Sequence, residues 1–280
     1  MRHTYNIIKV TLPLAINKRA FRSFLFVTIA SAAFTGHAQE KRGWTLVWKD
    51  EFNYKGLPDS TKWSYDVGNR NGWGNKELEY YTYRKTRNAR VEKGKLIIEA
   101  RKEKVDYFNY TSARLLTKGK AAWQYGKIEV RAKIPKGTGS WPAIWTLADH
   151  MKRWPDDGEI DIMEHVGLHQ GYIHGTIHCK RYNHVIGTQR TDTVYVPDCS
   201  SAFHVYSMEW DKEMIKVAAD GKVFFSFANE NKGYEYWPFD NKMFLILNIA
   251  IGGNWGGQKG IDDKAFPMRM EVDYVRVYQK

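Results

Sequence analysis

Glu159-Ile160-Asp161-Ile162-Met163-Glu164 sets three carboxylates among apolar side chains and nothing else. Wound as a helix, at about 100° per residue, the acids would scatter around the axis. Extended as a strand, Glu159 and Asp161 share one face and Ile160 and Ile162 the other. Strict alternation then sends Glu164 to the apolar face. One extra residue at Ile162-Met163, a β-bulge, returns it to the face of the other two acids, and bulges are over-represented beside active sites. With the bulge absorbing one step, the two Glu backbones stand about 13 Å apart. Side chains leaning toward each other bring the carboxyls to roughly 5–5.5 Å, the separation of a retaining glycosidase. The competing reading of these six residues is a half-solvated strand of an antiparallel sheet.

The chain around this run reads as β-structure. Tyr125, Lys127, Glu129, Arg131 and Lys133 alternate with Ile128, Val130, Ala132 and Ile134 in a period of two. Trp44 to Trp48 alternates likewise. Further strands are expected at Arg90–Ala100 (with a turn at Lys93-Gly94), Tyr107–Leu116, Tyr172–Lys180, Phe203–Trp210 and Met270–Tyr278. Met214–Ala219 and Val223–Ala228 flank Asp220-Gly221, a hairpin dipeptide. Met243–Ile251 is nearly all apolar and predicts a buried strand. Residues 68–75 and 252–257 read as loops by composition. Many short strands with regular turn signals and no long amphipathic helix mean an all-β sandwich. The expected architecture is a jelly roll of two packed antiparallel sheets, one concave and carrying the polar, aromatic face. No composition break follows residue 39, so residues 39–280 read as a single domain.

The N-terminus reads as an address. Lys18, Arg19 and Arg22 precede an apolar run from Phe24 to Phe34 and the small-residue segment Thr35-Gly36-His37-Ala38. That is the layout of a secretory signal over residues 1–38, and the apolar run is too short to span a bilayer. No cysteine sits at the cleavage site for lipid anchoring, so a secreted or periplasmic protein is expected. The formal charge is +12 with 43 Lys+Arg against 31 Asp+Glu. The basic residues are dispersed, which argues against a nucleic-acid partner. The 11 Trp and 17 Tyr exceed what a core needs and suit surfaces that stack on rings. Cys179 and Cys199 form either one disulfide or two free thiols. Phosphate-cradling glycine loops, helical metal-ligand pairs and a serine nucleophile elbow do not occur.

Trp141 and Trp145 share a parity, and either pack a core or form a platform for a sugar ring. Pro142 between them predicts a sheet edge or rim. In Tyr172-Ile173-His174-Gly175-Thr176-Ile177-His178 the two His and Thr176 share a face. If this strand pairs with the acid strand, that face adjoins the carboxylates. His178 is the stronger candidate of the two.

These motifs together resemble glycoside hydrolase family 16, in its bulged, laminarinase-like branch. The resemblance rests on Trp154-Pro155-Asp156-Asp157-Gly158-Glu159-Ile160-Asp161-Ile162-Met163-Glu164-His165, with Gly72-Trp73-Gly74-Asn75, Tyr80-Tyr81-Thr82, the Trp141–Trp145 segment, His174-Gly175-Thr176-Ile177-His178, Gly253-Asn254-Trp255-Gly256-Gly257 and Glu271 to Tyr278. It implies a concanavalin-like jelly roll with a concave substrate cleft. The implied activity is that of a monomeric endo-β-glucanase acting with retention on β-1,3- or mixed β-1,3/1,4-glucan polysaccharide. It makes Glu159 the nucleophile, Glu164 the acid/base and Asp161 the hydrogen-bonding neighbour between them. Asn75, Arg114, Trp141, Trp145, Trp154, His178 and Trp255 would line the sugar subsites. Catalysis would need no cofactor. A structural calcium is implied at Glu51, Gly94 and Asp273, partly through backbone carbonyls. Relatives acting on sulfated galactans, a glucan-binding protein without turnover, and a transglycosylating enzyme are the alternatives.

Overall fold

The structure is a computed structural model and describes residues 43–280; the expected signal at residues 1–38 lies outside them. In chain order the described strands are β1 (Thr45–Asp50), β2 (Ser64–Asp66), β3 (Glu79–Tyr81), β4 (Ala89–Glu92), β5 (Lys95–Val105), β6 (Phe108–Ser112), β7 (Arg114–Leu116), β8 (Gly126–Lys133), β9 (Ser140–Ala148), β10 (Glu159–Glu164), β11 (Tyr172–His178), β12 (Arg190–Tyr195), β13 (His204–Trp210), β14 (Met214–Ala219), β15 (Lys222–Ala228), β16 (Met243–Ile251) and β17 (Met268–Gln279). They make two sheets. One runs β12-β11-β10-β9-β16-β7-β2; the other runs β15-β14-β13-β8-β17-β5-β6-β3, with β1 beside β17 and β4 beside β5. This is the jelly-roll sandwich the alternation predicts.

The period of two becomes burial. In β8, Ile128, Val130 and Ala132 have no exposure, while Lys127, Arg131 and Lys133 turn outward into ion pairs with Glu209, Asp273 and Glu271. The inner faces share one core, in which Ile144, Ile160 and Leu247 of the first sheet pack with Met208, Val217 and Val275 of the second. Burial at about 25 cal/mol per Å² of apolar surface makes this core the main source of stability. The layers approach closely at Gly175 of β11, where a Cβ would lie 3.0 Å from the Phe224 ring and 3.2 Å from Val217.

The structure departs from the sequence reading in several places. Pro142 is in no edge strand: β9 pairs with β10 on one side and β16 on the other. In an antiparallel ladder a residue's N–H and C=O point to the same neighbour. The Pro142 carbonyl accepts from His165 N at 3.2 Å, just past the end of β10. The missing N–H therefore falls where that ladder is ending, and no bond to β16 is lost. The sheets are also not wholly antiparallel, since β3 runs parallel to β6. Residues 252–257, expected as loop, contain a one-turn helix, α1 (Gly253–Gly256). Cys179 and Cys199 are buried free thiols, which settles the two-way reading of the cysteines.

Candidate active site

The bulge lies where the acid run requires it. Toward β9, Asp161 stands opposite Trp145 and Met163 opposite Ile144, so Ile162 is the extra residue. Toward β11, Asp161 stands opposite Thr176 and Glu164 opposite His174. Ile160, Ile162 and Met163 all enter the core with no exposure. Glu159, Asp161 and Glu164 instead line a cleft of about 860 Å³ on the outer face of the seven-stranded sheet. Two apolar residues in succession turn inward, and that brings Glu164 back to the face of the other acids.

Each outer acid is held by an indole. Trp154 Nε1 donates to Glu159 Oε2 at 2.8 Å, and Trp141 Nε1 donates to Glu164 Oε1 at 2.9 Å. His178 Nε2 lies 3.4 Å from Asp161 Oδ2 and 3.8 Å from Glu159 Oε1. Asp161 Oδ2 and His178 Nδ1 are buried and find no hydrogen-bond partner among the described residues. Burial pushes the Glu159 carboxyl up to about 8, the Asp161 charge adds to the rise, and His178 and Trp154 oppose it. Glu164 is pushed up to about 8 for the same reasons, with Trp141 opposing. Asp161 is raised well above the carboxylate range by burial. Three acids so close and so dry cannot all ionise near neutrality, so the cluster retains protons. A cluster that holds both a carboxylate and a carboxylic acid can offer a nucleophile and a proton donor at once.

The aromatic walls follow from strand parity. Trp141 and Trp145 alternate on β9 with buried Pro142 and Ile144, so both face the cleft, where Trp145 also packs against a small apolar cluster of Leu116, Phe244 and Ile246. Trp145 Nε1 donates to Asn248 Oδ1 at 2.7 Å. The Arg114 guanidinium lies 4.7 Å from the centre of the Trp145 ring and 4.6 Å from that of Trp73, while its Nε meets Asp66 Oδ2 at 3.1 Å. Trp255 of α1 meets Trp141 edge-on at 5.4 Å and His174 at 4.8 Å. Asn75 Nδ2 donates to Glu77 Oε1 at 3.3 Å. The predicted set Asn75, Arg114, Trp141, Trp145, Trp154, His178 and Trp255 is thus gathered on one cleft.

The sequence reading missed Trp73, Glu77, His184 and Asn248, which also line the cleft. Asn248 carried a signal: it is the one polar residue in the apolar run of β16. Its side chain is buried and bridges Trp145 and Tyr81. Trp73 and Glu77 sit on irregular segments and His184 opens a one-turn 3₁₀ helix, His184–Ile186, all too short or irregular for a period to mark a face. The calcium residues look different from a cation cage. Both Glu51 oxygens accept from Arg276, at 2.8 and 2.9 Å, and Asp273 accepts from Arg131 at 2.6 Å. Gly94 closes the β4–β5 turn with φ +70°. Side chains already committed to guanidinium groups do not fit a divalent ion, which would be left with backbone carbonyls.

A family model described as glycosyl hydrolases family 16 matches residues 76–276. A β-glucanase of Rhodothermus marinus is 49% identical, over 96% of this chain and 98% of its own. The X-ray structure of the laminarinase from Rhodothermus marinus has a TM-score of 0.83 and 53% identity, covering 84% of this chain and 97% of that one. A non-specific endo-β-1,3(4)-glucanase of the same family, co-crystallised with 1,3-β-D-cellotriosyl-glucose, has a TM-score of 0.82 and 50% identity, covering 85% and 95%.

Proposed function

The chain belongs to glycosyl hydrolases family 16, and on that footing we propose that it is a retaining endo-β-glucanase. Its substrate is β-1,3-glucan of laminarin type, mixed β-1,3/1,4-glucan, or both. The observation that carries this reading is the gathering of Glu159, Asp161 and Glu164 by the Ile162 bulge onto the floor of an aromatic-walled cleft. The names of the similar proteins, β-glucanase, laminarinase and endo-β-1,3(4)-glucanase, support the substrate class.

Glu159 acts as the nucleophile. Its carboxylate attacks the anomeric carbon while the bond to the leaving oxygen breaks. Glu164 gives that oxygen its proton, so the leaving sugar departs as an alcohol. Water then attacks the glycosyl ester, Glu164 takes the water's proton, and Glu159 is released as a carboxylate. The indole N–H of Trp154 fixes the Glu159 oxygen, and the Trp141 N–H fixes that of Glu164. Asp161 stands between them as the hydrogen-bonding neighbour of the nucleophile, and burial raises its carboxyl well above the ordinary range. Forming the ester removes the Glu159 charge from the cluster. The pKa of Glu164 then falls, and the group changes from acid to base.

The working chain is the 39–280 domain, a monomer acting on polysaccharide in the periplasm or outside the cell. The signal read at residues 1–38 supports that location, and no helix among the described residues is long and apolar enough to cross a membrane. Reducing-sugar release from laminarin, barley mixed-linkage glucan and agar tests the reading. We expect release from at least one of the first two. Release from agar alone would replace this reading with the galactan alternative.

A further inference from the structure

The cleft face of the sheet does not stop at the catalytic cluster. β11 and β12 pair in unbroken register, Thr176 with Thr191, His174 with Thr193 and Tyr172 with Tyr195. The side chains meet rung by rung on the cleft side. Thr176 and Thr191 hydroxyls lie 2.9 Å apart, and Thr193 Oγ1 lies 3.3 Å from His174 Nδ1. The Tyr172 and Tyr195 rings are 5.0 Å apart, tilted by 46°. Thr176, Thr191 and His174 line the cleft. Residues two apart on a strand share a face, so the tyrosines continue that wall about 7 Å beyond His174.

This last rung is built but uncovered. Tyr172 is 49% exposed and Tyr195 58%. Gly171 sits at φ +89°, and a Cβ there would come within 2.7 Å of the Tyr195 ring. The ring therefore lies directly on the Gly171 backbone, which Val196 N binds at 2.7 Å. An exposed pair of large rings set against a fixed turn has the shape of a stacking platform, apolar on the face and polar at the hydroxyl.

Its place relative to the catalytic acids follows from the register. Glu159 stands opposite His178 and Glu164 opposite His174, with Tyr172 one rung further in the same direction. In double displacement the anomeric carbon lies over the nucleophile and the leaving oxygen at the acid. The tyrosines thus lie beyond the acid/base end of the cluster, on the same face of the sheet.

We infer that Tyr172 and Tyr195 form a distal sugar-stacking platform beyond the Glu164 end of the cleft, engaged by long β-linked glucans and out of reach of short ones. The inference rests on the glucanase reading above. The test compares the wild type, the Tyr172→Ala/Tyr195→Ala double variant and the Tyr172→Phe/Tyr195→Phe double variant on laminarin and on a β-1,3-linked glucose tetrasaccharide. The alanine pair should lose about fivefold or more in kcat/KM on laminarin, the usual cost of truncating a contributing interface tyrosine. It should match the wild type on the tetrasaccharide. The phenylalanine pair, which keeps both rings, should match the wild type on both. An equal loss on both substrates, or no loss on laminarin, overturns the platform. Calorimetric binding of laminarin in a Glu159→Ser background separates this from the glucanase reading, because it needs no turnover. There the alanine pair should weaken binding about fivefold or more, and unchanged binding overturns the platform whatever the enzyme hydrolyses.

Discussion

Two buried acids, one on each sheet, live in opposite surroundings. Glu99 of β5 is 1% exposed, and its carboxylate meets Arg90 at 3.1 Å, Arg269 at 2.7 Å, and Arg101 besides. Asp161 of β10 is 2% exposed and has a single basic neighbour, His178 at 3.4 Å, with one oxygen lacking any hydrogen bond among the described residues. Lys127, Arg131 and Lys133 likewise hold Glu209, Asp273 and Glu271 along the ten-stranded sheet. Three acids in the cleft share one imidazole and two indole N–H groups. A buried charge is tolerable when paired, and the ten-stranded sheet pairs its acids. The seven-stranded sheet leaves its acids under-compensated, so their protons are held at higher pH. Surplus positive charge stabilises; its shortage makes groups that exchange protons near neutrality.

The contrast can be broken most sharply at Glu159. Replacing Glu159 with Ser should lower turnover of laminarin by at least about 10⁴-fold, since a nucleophile acting as part of a unit is lost whole. Laminarin binding measured by calorimetry should persist. Turnover equal to the wild type would refute the nucleophile role. Glu164→Gln should cost about 10²–10⁴-fold in kcat, the range of a general acid or base. It should also remove the alkaline fall in activity expected of the wild type as Glu164, its carboxyl pushed up to about 8, ionises. A pH profile of kcat checks both. Glu99→Gln belongs to the other sheet and should leave kcat unchanged. It leaves three guanidinium groups under-paired, so the denaturant midpoint should report a loss of about 1–3 kcal/mol. A fall in kcat larger than the fall in stability explains would erase the division between the sheets.

The smallest effect is the most diagnostic. Glu164 has a folded-state pKa raised above its unfolded value near 4.5. The folded chain then binds more protons than the unfolded one between those values, and stability falls as pH rises through that window. The loss is complete above about pH 8. Glu164→Gln removes the titration, so its Tm should exceed that of the wild type by a few degrees at pH 8 and converge on it at pH 4.5 or below. A variant less stable at the alkaline end would mean that the ionised carboxylate is well compensated after all.

Periodicity made much of this legible before any coordinates. The parity of Glu159, Asp161 and Glu164 demanded a bulge, and the register supplies it at Ile162. Met214–Ala219 and Met243–Ile251 are strands to the residue. Pro142 departs from the edge rule because its missing N–H matters only to the neighbour it faces, and the side where β10 ends asks for no donor. β2, β3 and β12 carry no such signal. β2 and β3 have three residues each, too few to show a period, and β12 is a polar edge strand. Trp73 and Glu77 reach the cleft from loops and His184 from a one-turn 3₁₀ helix, where pairing at a distance rather than local pattern decides direction. The exported state and the calcium expectation came from an N-terminal address and a family resemblance, not from any face or register.

Shortening the chain by Ile162 alone would leave Glu-Ile-Asp-Met-Glu, which alternates without interruption. All three acids would still point outward, and Met would fill the single inward slot that remains. The cost is one vanished aliphatic side chain, about 2–5 kcal/mol by analogy with large-to-small core truncations. An indel at this position thus trades core volume against the spacing of the outer carboxyls without overturning the face they occupy. Acid geometry in such a strand is adjustable in single-residue steps, and the hydrophobic interior is the ballast that moves.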